Sequence, residues 1–385
     1  MTENDNSQKV LNIMVVGAKE GKGSAHIDKF MPSLKKKSNY KITYVGWDRS
    51  KKLPKLYEED KVAYKMIFRG WGYGGKMLMF ALPVWCIRLF FFLLFQKPDI
   101  VIAIDLDCAF SAALSKVFTR IPVLYIILDT YALRPTIPPF LRSSIQFVDN
   151  WVMKKSDNII VPDETRILPE YKQKEKFTVI YNCCIDIANT ISPERKSREG
   201  KPFTVLATGR LMSNRGVGLL LSAAESIPDM HMIMAGDIQE ASISRRIDAN
   251  KNVKFLGRVS LEESLRLCFD SDVVFTFYDP CSEINRRAAS NKWSDSMMAS
   301  RPILVNSELV KADWIKKSNI GYCCPYNDVN ALIKCLEFIM NNPEDAREKG
   351  ENGRKLFLEG YNWEKMEERL YLVLDNCTKN KIGYL

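Results

Sequence analysis

The sequence predicts an α/β protein made of two Rossmann-like domains, each built on a parallel sheet. Three observations carry this. Short, continuously apolar runs recur along the chain, which marks strands covered on both faces. Segments of helical length lie between most of them, as parallel crossovers require. A polar, charge-rich stretch interrupts the alternation near the middle, after which it restarts, and 385 residues exceed what a single core usually holds.

The first series of strands reads "VLNIMVV" (10–16), "KITYVG" (41–46), "DIVIAI" (to Ile104), "PVLYIIL" (122–128) and "DNIIVP" (157–162). The interruption is "DIANTISPERKSREGKP" (186–202), rich in charge and turn formers. The second series is "FTVLAT" (203–208), "HMIMAG" (231–236), "VKFLG" (253–257), "DVVFTF" (272–277) and "PILVN" (302–306), with helices near 217–227, 259–269 and 290–299. The stretch "NWEKMEERLYLVLDN" (362–376) has apolar residues at helical spacing. The expected division is a first domain over 1–190, a linker at 191–202, a second domain over 203–360, and a final amphipathic helix within 361–385 that packs back on the first domain. Two such domains place a cleft at the carboxyl ends of their strands, where sheets of this kind bind ligands.

Charged residues at 26% and hydrophobic ones at 46% describe a globular chain. The formal charge of +10 calls for an anionic partner. Ten cysteines include the adjacent pairs Cys183–Cys184 and Cys323–Cys324 but no C-x-x-C, which fits free thiols in a reducing compartment. Only His26 and His231 are present, so a multi-histidine metal site is excluded, and neither a metal nor a cofactor is expected. The start "MTENDNSQKVLNIMVVG" lacks the basic opening and long apolar run of a signal peptide, which points to a cytoplasmic location.

Four places can carry chemistry. In "GAKEGKGSAHIDKF", Gly17, Gly21 and Gly23 follow the first strand and precede a helix, a turn that either contacts a phosphate or is an ordinary tight turn. In "LATGRLMSNRGVGLLLSAAE", Arg210 leaves a strand end and Arg215 stands just before a helix. Paired guanidiniums there suit a diphosphate, since each can hold phosphate oxygens through two parallel hydrogen bonds; the alternative is two solvated surface arginines. In "YDPCSEINRRAASNKWSDSMMASRPILVN", Ser290 or Asn291 caps a helix, and Asp295 one turn in either accepts from sugar hydroxyls or is solvated. Finally, "YIILDTYALRP" places Asp129 at a strand end, where it can orient an acceptor hydroxyl or take its proton, or simply cap a turn.

Together these segments resemble the family 4 glycosyltransferases of the GT-B fold. The resemblance is densest over 203–363: "GRLMSNRGVGLLLSAAE" looks like the family's G-R-L-x-x-x-K-G segment, followed by "NVKFLGRVSLEESLRLCFDSDVVF", "NKWSDSMMASRPILV" and "GYNW". The first half matches more loosely, through its glycine turn, "KPDIVIAID" and "KKSDNIIVPDETR". The resemblance implies transfer of a sugar from a nucleotide diphosphate sugar to an acceptor hydroxyl, with retention of configuration and without a metal. Arg210 would take the place of the diphosphate-binding arginine and Arg215 that of a lysine, with Gly209 beside them a candidate substrate contact. Asp295 would stand where a glutamate binds the ribose, and the backbone around Gly257 and Arg258 would hold the base.

Two departures from the family pattern stand out. The first glutamate of the family lies eight residues before the ribose-binding one, and here that position is Arg287, with Glu283 the nearest acid upstream. Either Glu283 and Asn285 contact the donor sugar from a rearranged loop, or that role is absent. Asn285, Asn291 and Lys292 form an N-x-x-x-x-x-N-K loop that some members share, and they join the candidate donor contacts. On the acceptor side many members place a histidine where this chain has Asp129, and His26 on the opposite loop is a further candidate. A non-catalytic nucleotide-sugar binder or scaffold is the alternative reading. A dehydrogenase would need G-x-G-x-x-G and an acid about 20 residues on, which neither half supplies. No nucleic-acid module is recognisable, so no nucleic-acid partner is expected.

The stretch "MLMFALPVWCIRLFFFLLFQ" (77–96) holds 17 apolar residues in 20, Pro83 aside, close to the length that spans a bilayer. Spanning would put strands of one sheet on opposite sides of the membrane, and Arg88 inside the run would cost roughly 2.5–3.5 kcal/mol. A sheet-packing helix is expected instead, apolar nearly all round. Its spare face, with Lys76, Arg88, Lys97 and the loop 134–142, suits peripheral contact with an anionic membrane. That placement would suit a lipid-linked saccharide acceptor, as in bacterial capsule, O-antigen or lipopolysaccharide assembly, on the inner face of the cell membrane.

Overall fold

The computed structural model describes residues 10–21, 27–72, 77–134, 137–192, 195 and 197–382. The chain divides into two units, Met1–Ile180 with Glu367–Leu385, and Tyr181–Met366. The first break therefore falls at Ile180, upstream of the segment 186–202 that was expected to join the domains.

The first unit holds the strands β1 (Leu11–Gly17), β2 (Tyr40–Asp48), β3 (Leu56–Glu59), β4 (Val62–Arg69), β5 (Ile100–Ile104), β6 (Val123–Ile126), β7 (Asn158–Val161) and β8 (Phe177–Val179). They form one sheet in the order β3-β4-β2-β1-β5-β6-β7-β8. Every pairing is parallel except β3 with β4. The five expected strands are present. The hairpin β3–β4 is an addition, because "VAYKMIFR" alternates buried and half-buried residues rather than running continuously apolar. Strand order reverses between β1 and β5, the topological switch point of the sheet.

The helix Met77–Leu94 accounts for the long apolar stretch. Ala81, Trp85, Leu89 and Leu93, spaced four apart, are buried in the core of the sheet's flank, and Trp85 stacks on Trp47 of β2 at 5.9 Å. Phe80, Val84, Ile87 and Phe91 follow a second line along the same helix and are exposed. Among the described residues no helix is long and apolar enough to cross a membrane. From Glu367 onward the helix Trp363–Ile382 belongs to the first unit, where the Tyr371 hydroxyl donates to the Ser33 carbonyl at 2.7 Å.

The second unit holds β9 (Thr204–Leu211), β10 (His231–Ile238), β11 (Val253–Phe255), β12 (Val273–Thr276), β13 (Ile303–Asn306) and β14 (Gly321–Cys324). They form a sheet in the order β11-β10-β9-β12-β13-β14, all parallel. The switch point lies between β9 and β12, so the residues that leave the end of β9 stand where such a sheet binds ligands. Short β14, "GYCC", was not anticipated, because four residues between polar turns carry too little pattern.

Candidate functional site

At the end of β9 the burial changes within a few residues. Thr204–Ala207 are buried, while Gly209 and Arg210 are exposed. Gly236 pairs with Gly209 across the β9–β10 register, and a Cβ at Gly236 would collide with the Gly209 carbonyl. The chain then makes a short turn, Ser213–Arg215, closed by Gly216 at φ +67°. A side chain at Gly216 would press on Phe277, its Cβ lying 2.7 Å from that of the phenylalanine. The turn is pinned from two sides: the Tyr326 hydroxyl donates to the Ser213 carbonyl at 2.9 Å, and the Ser213 amide donates to Glu240 at 2.8 Å.

This geometry aims Arg215 at a fixed spot. Its guanidinium lies 4.4 Å from the centre of the Tyr278 ring and donates to Asn285 Oδ1 at 3.4 Å. Asn285 is itself tied down, donating to the Asp279 carbonyl at 3.1 Å. Across the strand end, the helix Asn291–Met298 is capped by Ser290, whose hydroxyl accepts from the Lys292 amide at 3.3 Å. Between these elements lies a recess of about 630 Å³, open to solvent and walled by Gly209, Arg210, Arg215, Asn291, Lys292 and Tyr278, with Phe275 and Phe277 behind them. Among the described residues that line it there are three cations and no carboxylate. Such a lining attracts a multiply charged anion, because guanidiniums keep their charge at any working pH.

Lys292 and Asp295 form an ion pair at 3.2 Å. Burial is the largest single effect and works against the lysine's charge, but the Asp295 carboxylate, Cys268 and Tyr278 together hold the ammonium's pKa above its ordinary value. Asp295 is only 1% exposed and is not part of the recess wall. The carboxylate expected to meet sugar hydroxyls therefore faces Lys292. Glu283 accepts from Arg287 Nε at 2.7 Å and pairs with Arg286 at 3.3 Å. The acid nearest the family's first glutamate is thus engaged by the arginine that stands in that glutamate's place. Arg258, beyond Gly257, pairs with Asp237 and holds that carboxyl below its usual range; Asp237 in turn lies opposite Arg210 in the sheet register. The Gly257 carbonyl accepts from the Gly236 amide at 2.7 Å.

In the first unit Gly17 ends β1, and a side chain there would strike the Tyr44 hydroxyl, which donates to the Lys19 carbonyl at 3.1 Å. The turn is tight because a buried tyrosine fills the space beneath it. Gly23 and His26 lie outside the described residues. Asp129 is half-exposed and pairs with Arg166 at 3.1 Å. Arg166 is buried, and its Nε and Nη1 find no hydrogen-bond partner among the described residues.

Sequence reasoning missed the acids that follow β5. Asp105 has φ +62° and accepts from the Leu128 amide at 3.1 Å and from Arg134 at 2.8 Å. A non-glycine residue in that conformation at a switch point marks a place where surrounding contacts impose the backbone. Asp107 nearby has its carboxyl pushed up to about 6, chiefly by burial and then by the Asp105 charge. The signal was present in "AIDLD", two acids directly after a buried strand.

Two α/β units on predominantly parallel sheets, one with a cation-lined recess at its switch point, fit the GT-B class of fold. Residues 189–356 match the family model described as "Glycosyl transferases group 1". Over 206 residues the chain is 24% identical to an "Uncharacterized glycosyltransferase" of Haemophilus influenzae, covering 51% of this chain and 55% of the relative. Over 167 residues it is 26% identical to "O-antigen chain mannosyltransferase C" of Escherichia coli, covering 42% of this chain and 43% of that one. The matches thus span about half the length of these curated relatives. Among solved structures, that of HepE from Anabaena in complex with UDP and glucose is similar over 95% of this chain and 99% of that one, with a TM-score of 0.70 at 15% identity. At that identity the likeness is one of fold.

Proposed function

We propose that the chain is a retaining glycosyltransferase that takes a nucleoside diphosphate sugar as donor and binds its diphosphate in the recess at the end of β9. The observation that carries this is the convergence of Arg210, Arg215 and Lys292 on one carboxylate-free wall. In the reaction the bond between the sugar's anomeric carbon and the diphosphate oxygen breaks, and the electron pair leaves with the diphosphate. The acceptor hydroxyl oxygen bonds to the same face of that carbon and gives its proton to a leaving phosphate oxygen. The three cations stabilise the charge that builds on the diphosphate, so this chemistry asks for no metal. Asp129 is proposed to orient the acceptor hydroxyl.

The acceptor we propose is a lipid-linked saccharide of bacterial surface polysaccharide assembly, such as capsule, O-antigen or lipopolysaccharide. The relative named as an O-antigen mannosyltransferase supports that class of pathway. The exposed line Phe80, Val84, Ile87 and Phe91, continued by Phe95 and flanked by exposed Arg88 and Lys97, supports peripheral attachment to an anionic membrane from the cytoplasmic side. Phe140, in the loop-to-helix segment 134–142, is exposed as well, although residues 135 and 136 lie outside the described residues.

The engagement of Glu283 by Arg287 favours a second reading, a nucleotide-sugar binder without transfer activity. A thermal-shift screen of nucleotide sugars, followed by measurement of nucleoside diphosphate release with and without saccharide acceptors, separates the two. Stabilisation by a donor with acceptor-dependent release supports transfer, and stabilisation alone supports the binder. No stabilisation by any donor, with Arg210→Ala indistinguishable from wild type, would sink both.

A further inference from the structure

Asp295 occupies the position that the family resemblance assigns to the donor's ribose, but its placement argues for another role. The carboxylate is withdrawn from the recess wall, and Oδ2 lies 3.2 Å from Lys292 Nζ. The other oxygen, Oδ1, is buried and has no hydrogen-bond partner among the described residues. Lys292, in contrast, is part of the wall, alongside Gly209 and Arg215. Gly209, at φ +103°, runs beside the lysine stem, and a Cβ added there would lie 4.0 Å from Lys292 Cε.

We infer that Asp295 is a positioning residue: it holds the Lys292 ammonium at the recess wall, so that this charge and the two arginines together face the donor's diphosphate. The inference rests on the donor-site reading above and replaces the ribose contact in it. An ammonium on a flexible four-carbon stem is a point charge with many rotamers. A buried carboxylate one turn away on the same helix fixes where that charge sits and occupies one of its three N–H groups, leaving the others for an anion. A carboxylate that bound the ribose would itself have to open onto the recess, and this one does not.

The test is titration calorimetry on wild type, Asp295→Asn, Lys292→Gln and the double variant. The probes are UDP, GDP and ADP, the 2′,3′-dideoxy form of whichever binds, and inorganic pyrophosphate. Each single variant is expected to weaken the nucleoside diphosphate and pyrophosphate roughly tenfold to a hundredfold, the size of a lost hydrogen bond to a charged group. The double variant should be no worse than the singles, because the two residues act as one unit. The loss on removing the ribose hydroxyls should be the same in all four proteins.

If Asp295→Asn erased that hydroxyl difference and left pyrophosphate binding unchanged, Asp295 would be a ribose ligand and the inference overturned, with the donor site standing. If wild type bound none of the probes, the donor-site reading would fall and the inference with it. Asp295→Glu guards against a variant that does not fold. A longer carboxylate preserves a ribose contact, whereas a displaced ammonium lowers pyrophosphate affinity.

Discussion

Tyr125 of β6 donates its hydroxyl proton to Asp149 Oδ1 at 2.9 Å, with both side chains fully buried. The other carboxylate oxygen has no partner among the described residues. Burial pushes the Asp149 carboxyl up to about 7, against the opposing pull of the tyrosine hydrogen bond. In the unfolded chain the same group titrates near 4. Below that pH it is neutral in both states. Between about 4 and 7 the unfolded chain ionises while the folded one keeps its proton, so stability falls as pH rises, and above 7 the loss levels off. Asp149→Asn removes this penalty and can still accept from Tyr125. It should raise stability by on the order of a few kcal/mol at pH 8 and much less at pH 4.5. Urea melts at the two pH values check this, and an equal difference at both would refute it.

Arg215 distinguishes charge from geometry. Arg215→Lys keeps the cation but loses the guanidinium's bond to Asn285 and its contact over the Tyr278 ring. It should retain most of the donor affinity, within about tenfold, since the charge is the larger contribution. Arg215→Ala should lose roughly tenfold to a hundredfold. Calorimetry with a nucleoside diphosphate reads both; equal losses would mean that orientation, not charge, matters at this wall.

Gly236 tests whether the recess depends on the close approach of two strands. Its φ of +143° and the collision of an added Cβ with the Gly209 carbonyl both oppose any side chain. Gly236→Ala should destabilise the second unit by about 1–3 kcal/mol or more and displace Arg210. Thermal unfolding with and without a nucleoside diphosphate should show a lower midpoint and a reduced ligand shift. Wild-type behaviour in both would contradict the packing described.

The exposed line on the helix Met77–Leu94 predicts lipid binding. Phe80→Ser with Phe91→Ser should abolish flotation with vesicles rich in phosphatidylglycerol while leaving the melting midpoint nearly unchanged, because neither ring is in the core. Trp85→Ala on the opposite line should do the reverse, costing about 3–5 kcal/mol of stability. Failure of the wild-type protein to float would remove the membrane contact from the proposal.

Much of this was legible in the chain itself. Apolar runs marked β1, β2, β5, β6, β7, β9, β10, β11, β12 and β13, because a strand covered on both faces has little polar side to show. Arg210, Arg215 and Lys292 were legible because strand ends and helix starts of a parallel sheet gather at one edge. Strands β3, β4, β8 and β14 were not anticipated: they are short or half-buried, and their pattern resembles that of turns and surface segments.

What the sequence by itself determined is the alternation of strand and helix, the doubled sheet and the basic strand end, all set by local pattern and by the rule that parallel sheets bind at their carboxyl edge. Only the tertiary structure decided which charges are free. Spacing alone places Asp295 and Lys292 one turn apart, yet it is the packing of the helix Asn291–Met298 that buries one and leaves the other at the recess. Likewise nothing in "QFVDNW" announces that Asp149 meets Tyr125 in the core. Burial and pairing set the charge state and reach of an ionisable group, and both depend on neighbours distant in sequence.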